Sequence, residues 1–238
     1  MRFGLLYSDA FLQHDTGNHP ESPVRLTATM AQLKASGLLG KVEIVLPRPA
    51  TERELTLVHN ESLIHAVRGM SAIGGGALGY DTVLSAGSYD AALLAAGGTV
   101  ELVRRVCLGE FDRGFALVRP PGHHATRREA MGFCLLNNIA IATAVAIREG
   151  LARRVAIVDF DVHHGNGTEE AFESNSRVLY ISTHQSPLYP GTGAAEDMGI
   201  ASGTGTIINI PLPPGVGDMG WRRVYESIVF PALERFDA

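Results

Sequence analysis

Cysteine is nearly absent from this sequence: only Cys107 and Cys134 occur, with no Cys-x-x-Cys pair. That argues against a disulfide scaffold and fits a reducing compartment, so a cytoplasmic location is expected. A basic excess is missing as well. The formal charge is −5 and no Lys/Arg cluster occurs, which removes the usual basis for direct binding to nucleic acid through phosphates. No apolar run is long enough to cross a membrane, so no membrane partner is expected. The opening MRFGLLYSDAF, with one Arg and an early Asp9, reads as a first strand rather than a signal peptide. Internal repeats, linkers and low-complexity tracts are lacking too, and nothing points to an oligomeric state.

What remains is an ordinary globular composition, 45% hydrophobic and 19% charged over 238 residues, for which a single α/β domain is the simplest fit. Strands are predicted at Arg2–Tyr7, Val42–Leu46, Gly114–Val118, Val155–Val158, Val178–Ser182 and Thr206–Ile210. Between them fall helical patterns: one opened by Ser22-Pro23, then 51–59, 61–70, Tyr89–Cys107, Asn138–Glu149 and Trp221–Phe236. Strands alternating with helices predict a parallel sheet covered on both faces. Residues 74–88 read as an exposed loop, Gly165–Gly167 and Pro211–Gly217 as turns, and the pair Gly97-Gly98 as a site of close helix packing.

The chain is organised around RVAIVDFDVHHGNGT, Arg154 to Thr168. A buried apolar strand that ends in Asp159, Asp161, His163 and His164 is poor packing chemistry, because unpaired charge in a core is costly. Asp161 and His163, two apart, project the same way from an extended segment, and a carboxylate beside an imidazole suits zinc. The alternative is a strand ending in a polar turn with satisfied histidines, and this stretch alone leaves both open. Two further strands end in polar, glycine-flanked clusters: Val118 before His123-His124, and Ile181 before Ser182 and His184. Parallel strands place such ends along one sheet edge, where ligands bind. Adjacent histidines on the Pro120-Pro121-Gly122 turn suit general acid and base chemistry better than metal ligation.

RPPGHHA (Arg119–Ala125), GFCLLNNIAIA (Gly132–Ala142), DFDVHHGNGTEEAF (Asp159–Phe172) and YPGTG (Tyr189–Gly193) together resemble the histone deacetylase superfamily. That superfamily also holds acetylpolyamine amidohydrolases and acetoin-utilisation proteins. HPESPVRL (His19–Leu26) and YDTVLSAGSYDAALLAAGG (Tyr80–Gly98) extend the likeness along the chain, toward the class II branch and its bacterial relatives. The resemblance implies the arginase/deacetylase α/β fold, a three-layer αβα arrangement, and a zinc-dependent amide hydrolase. It implies zinc ligation by Asp161 and His163, with His123 and His124 flanking the attacking water and His124 as principal base and acid. Asp159 would orient His123 and join a structural potassium site to which Ser182 adds its hydroxyl. Asn166 stands where class I members carry an aspartate. Phe133 and Tyr189, with Gly132 alongside, match the walls of an acyl-lysine channel, and Asp81 matches a rim carboxylate that grips substrate amides. An acylated lysine peptide or a small acylated amine is the implied substrate.

The resembled family takes its third zinc ligand and its oxyanion tyrosine from later segments, whereas only Asp237 and Ala238 follow the last predicted helix. The 238 residues are therefore expected to be the amino-terminal part of a longer deacetylase domain, holding zinc weakly and turning over poorly alone. Two other readings compete: a ureohydrolase with two metals, which would need more carboxylates per site, and a catalytically dead binding module of the same fold.

Overall fold

The computed structural model describes residues 1–238, which divide into two compact units, 1–151 and 152–238. In the first unit the order is β1 (Phe3–Leu6), α1 (Val24–Ala35), β2 (Glu43–Val45), α2 (Glu52–Leu55), α3 (Glu61–Ala72), β3 (Gly75–Leu78), β4 (Thr82–Ser85), α4 (Ser88–Cys107), β5 (Arg113–Ala116) and α5 (Asn138–Arg148). Strands β2-β1-β5 form a parallel sheet, with Gly4 opposite both Glu43 and Gly114. Gly4 and Leu6 face α4, where a side chain at Gly4 would strike Leu102 and where Gly98 sits on Leu6. Leu5, one residue out of phase, is buried on the opposite face. Both faces are thus covered, and Leu5, Leu6, Leu26, Val45, Leu102 and Phe111 share one core.

Two expectations change here. Residues 74–88 form a hairpin, β3 against β4, with Gly76 opposite Leu84. Thr82 and Leu84 point inward and are buried, the period of a half-buried strand. β3 opens on two glycines, and neither has room for a side chain: a Cβ on Gly75 would sit 2.8 Å from the Ser85 Cα and one on Gly76 2.5 Å from the Met70 sulfur. The close approach at Gly97 and Gly98 is also not between helices. A Cβ at Gly97 would meet the Pro49 backbone at 2.5 Å, so α4 lies against the extended segment after β2.

The second unit runs β6 (Val155–Asp159), α6 (Asn166–Phe172), β7 (Val178–Gln185), β8 (Ile207–Leu212), α7 (Asp218–Val224) and α8 (Phe230–Phe236). Its sheet is parallel in the order β6-β7-β8, with Asp159 opposite Ser182 and His184 opposite Pro211. Proline lacks an N–H for the ladder, and β8 is the outer strand of this sheet, where that loss is tolerated. Leu179, Ile181, Ile210 and Val229 bury one face against the closing helix. That helix is not one regular piece: Tyr225–Val229 is a π turn in which the Phe230 N–H reaches the Tyr225 carbonyl. Pro231 follows, and its missing N–H and ring displace the regular i→i+4 ladder there. The expected turn at Gly165–Gly167 is replaced by the start of α6 at Asn166.

Candidate functional site

The site residues fall into two groups, one in each unit. In the first, the chain leaves β5 and turns at Arg119 into Pro120-Pro121-Gly122. His124 is buried, only 4% exposed, and its ring lies 4.0 Å from that of half-buried His123. Gly132, at φ +54, forms the wall behind it: a Cβ there would be 2.7 Å from His124 Cγ. The His124 N–H meets the Cys134 sulfur at 3.5 Å, so the turn is held from the same short segment. Phe133, also at positive φ, donates its N–H to Thr82 Oγ1 at 3.2 Å. Thr82 in turn donates to Asp81 Oδ1 at 3.3 Å. The rim carboxylate and the channel-wall aromatic of the sequence expectation are therefore one hydrogen bond apart on either side of Thr82. His19 packs its ring edgewise on Phe133 at 4.5 Å.

A residue that sequence reasoning missed holds the two ends of this segment together. His59 is 2% exposed; its Nδ1–H donates to the Thr126 carbonyl and its Nε2 accepts the Asn137 N–H, each at 2.8 Å. Burial lowers its pKa to about 4, so the ring is neutral and both bonds persist at neutral pH. Asn137 caps α5 by accepting the Ala140 N–H at 3.1 Å. The only sequence signal was a histidine at the end of a helical pattern, with no hint of partners 67 and 78 residues away.

In the second unit, Asp161 and His163 do meet, but not by strand alternation. β6 stops at Asp159, and two successive side-chain turns take over. Asp159 Oδ1 accepts the Asp161 N–H at 3.2 Å, and Asp161 Oδ1 accepts the His163 N–H at 2.8 Å. Short acidic side chains favour such local bonds to backbone two residues on. The result places His163 Nδ1 3.0 Å from Asp161 Oδ1, both side chains partly exposed. An oxygen and a nitrogen donor side by side are of the kinds that supply two of the three protein ligands of a catalytic zinc. No cluster of three or more such donor side chains is present in the structure.

Asp159 Oδ2 accepts a hydrogen bond at 3.1 Å from Tyr180, whose pKa burial and the neighbouring carboxylate push well up, so it stays a donor. On the neighbouring strand β7, Ser182 Oγ lies 2.9 Å from His184 Nδ1, while His184 Nε2 reaches the Gly193 carbonyl at 3.0 Å. A carbonyl only accepts, so His184 carries its proton on Nε2 and takes the Ser182 O–H at Nδ1. The Ser182 oxygen keeps its lone pairs, which suits the expected cation site beside Asp159. Tyr189 sits 6.2 Å from the His163 ring, edge to face. Asn166 opens α6. His164, adjacent to His163, is a satisfied core histidine, bonded to Thr192 at 2.8 Å and Glu169 at 3.1 Å. Gly193 nestles on its ring, since a Cβ there would be 2.7 Å from both His164 and His184.

The Gly132 contact gives a first expected outcome. Gly132→Ala places a methyl against the His124 ring and an L-residue at positive φ, a backbone cost of about 1 kcal/mol or more. The melting temperature should fall by several degrees and the His124 ring signals should move in a histidine NMR spectrum. Unchanged ring signals in a folded variant would show that the wall does not set the pose of His124.

Residues 19–238 match the family described as "Histone deacetylase domain". A "Probable deacetylase" of Archaeoglobus fulgidus is 42% identical over 98% of this chain, and a "Histone deacetylase-like amidohydrolase" of Pseudomonas aeruginosa is 40% identical over 92%. The chain spans 65% and 58% of those two proteins' own lengths. A crystal structure of the HDA15 HD domain superposes with a TM-score of 0.93 at 41% identity, covering 99% of this chain and 71% of that one. No helix here is long and apolar enough to cross a membrane. Matched in sequence across both groups of residues, and in backbone along nearly its whole length, the chain belongs to the histone deacetylase family and has the arginase/deacetylase α/β fold.

Proposed function

We propose that this protein is a zinc-dependent amide hydrolase that removes acyl groups from acyl-lysine or a related acylated amine. One observation carries the reading: Asp161 Oδ1 and His163 Nδ1 are held 3.0 Å apart by local turns at the end of a parallel strand. Asp161 and His163 would hold the zinc as two of its protein ligands. A bound zinc would polarise the acyl carbonyl and acidify water. His124 takes the proton of the attacking water and returns one to the leaving nitrogen as the C–N bond breaks, so the amine departs neutral. His123 shares the proton-transfer turn. Gly132, Phe133 and Tyr189 sleeve the aliphatic stem, and Asp81 accepts from substrate amide N–H groups. Asp159 and Ser182 would hold potassium as a structural ion. A reducing cytoplasm suits the two cysteines, which form no disulfide.

The test combines metal and substrate. Wild type should take up zinc in a calorimetric titration, and Asp161→Ala and His163→Ala should each lose at least about tenfold in affinity. Wild-type affinity in both variants would remove the metal reading. A panel of acetyl-lysine peptide, acetylated polyamines and short acyl esters, assayed with zinc, identifies the substrate class. Two manganese ions per chain with cleavage of arginine or agmatine would establish the ureohydrolase alternative instead. Stoichiometric zinc with no turnover of any acyl compound would favour the binding module.

A further inference from the structure

Arg119, the residue before the Pro120–His124 turn, is completely buried. Its guanidinium grips Glu21 through two bonds, Nε to Oε1 and Nη2 to Oε2, both 2.7 Å. The remaining donors go to the His14 carbonyl at 2.7 Å and, more loosely, to the Phe11 carbonyl and Thr16 Oγ1 at 3.5 Å. Every acceptor belongs to the segment 11–21, which also carries His19 against Phe133. Glu21 has a second cation, Arg25, at 3.1 Å, and Arg25 also donates to the Val118 carbonyl at 3.0 Å, at the start of the same turn.

The network continues to the rim hairpin. His14, 1% exposed, sits with Nε2 3.6 Å from Glu21 Oε2 and Nδ1 2.7 Å from Ser88 Oγ. Ser88 Oγ accepts the Ser85 N–H at 2.7 Å, and Ser85 is the last residue of β4. Ser85 Oγ accepts the Asp15 N–H at 3.0 Å and donates to the Gln13 carbonyl at 3.1 Å. Burial lowers the His14 pKa to about 4, which keeps the ring neutral between its two partners. The trio Ser88–His14–Glu21 has the connectivity of a nucleophile triad. All three side chains are buried, so it has no access to a substrate and works as a connector.

We infer that Glu21 and Arg119 are positioning residues whose buried pair, extended through His14 and Ser88, fixes the His123–His124 turn relative to the channel-wall loop and the rim hairpin. The inference rests on the reading of His123 and His124 as proton-transfer groups. Its physical ground is the direction of the bonds. Charged side chains taken out of water recover their desolvation cost only with complete, well-aligned partners, and an apolar pair of similar volume often supports folding equally well. What an apolar pair lacks is the planar fork that sets both distance and angle. Here that fork joins a loop to a turn 98 residues later.

The experiment replaces the pair by apolar groups of similar size, Glu21→Leu with Arg119→Met, in the full chain. A melting temperature close to wild type is expected, together with shifted and broadened His123 and His124 ring signals in a long-range ¹H–¹⁵N spectrum. In protein that turns over acetyl-lysine, kcat/KM should drop roughly a hundredfold, the scale of a misplacement of about 1 Å. Wild-type ring signals in the folded double variant would overturn the inference. If that variant does not fold, Arg119→Lys keeps the charge and loses the fork, and the same ring signals decide in the same way. Those signals are read without turnover. Should His124→Ala leave turnover intact, the proton-transfer reading falls on its own, and unmoved rings remain the separate result that sinks the positioning role.

Discussion

Alanine in place of His124 is expected to lower turnover of acetyl-lysine by about two to four orders of magnitude, the usual contribution of a positioned acid or base. Zinc affinity should stay within a few-fold of wild type, because the proposed metal donors are Asp161 and His163 and the role proposed for the lost group is proton transfer. The structure makes His124 the better choice than His123. Its ring is buried, backed by Gly132 and tethered through its own N–H to Cys134, so its direction is set before substrate arrives. A preset geometry is what a proton transfer needs, since misorientation is as costly as absence. His123, half-exposed on the same turn, is expected to lose less. Single-turnover rates with a parallel zinc titration separate the two effects. Near-normal turnover by the variant at neutral pH would remove His124 from the chemistry.

Acidification from pH 7 to pH 4 is expected to cost the first unit several kcal/mol. His14 and His59 both have their pKa lowered to about 4, in each case chiefly by burial. Unfolded, each titrates near 6.5, the ordinary value of a histidine. Below that pH the unfolded chain binds protons that the folded one refuses, so stability is full above 6.5 and falls as the pH drops to the folded value. Each ring then forfeits on the order of 3 kcal/mol. Two such losses are large against a total of about 5–15 kcal/mol for a domain. Glu54 acts later: its pKa is lowered to about 2, with Arg48 and the Thr51 cap outweighing burial, so its share goes between 4.5 and 2. Urea midpoints at pH 7, 6, 5 and 4, followed by amide exchange at Thr126 to Asn137, check the first window. His59→Gln keeps a donor and an acceptor but cannot take a proton, and should remove about half of the effect. A flat midpoint down to pH 4.5 would show that the two buried rings protonate freely in the folded state.

Where the sequence spoke plainly, it did so through apolar runs bounded by turn formers. Val155–Val158 and Val178–Ser182 became β6 and β7 in that way, and the helix from Ser88 to Cys107 came from its Ala and Leu content. The hairpin at 75–85 was hidden because glycine has no side chain with which to alternate. The spacing picked out His163 beside Asp161 but said nothing of what His164 bonds to. His163 faces Asp161, whereas His164 is spent on Glu169 five residues on and on Thr192, 28 residues later. The Asp161–His163 juxtaposition was foreseen for the wrong local reason, since side-chain-to-backbone turns do the work assigned to an extended strand. The Arg119–Glu21 pair was out of reach, because no local pattern marks two charges as buried together across 98 residues.

The seat of Gly193 on two imidazole rings has a consequence for how the loop before it can change. At one end the loop is tied down where the Ser186 N–H reaches the Leu212 carbonyl at 2.8 Å. At the other it is fixed by a residue with no side chain, wedged between His164 and His184. Tyr189 stands between these anchors, 40% exposed, beside His163. Anchorage and reading head are thus separate parts of one short span. Exchanging the residue at 189 changes the partly exposed surface beside His163 and leaves both anchors of the span untouched, whereas any side chain at 193 would strike His164 and His184. The span thus has one position, 189, whose partly exposed side chain can be exchanged, and another, 193, where any side chain would strike two rings.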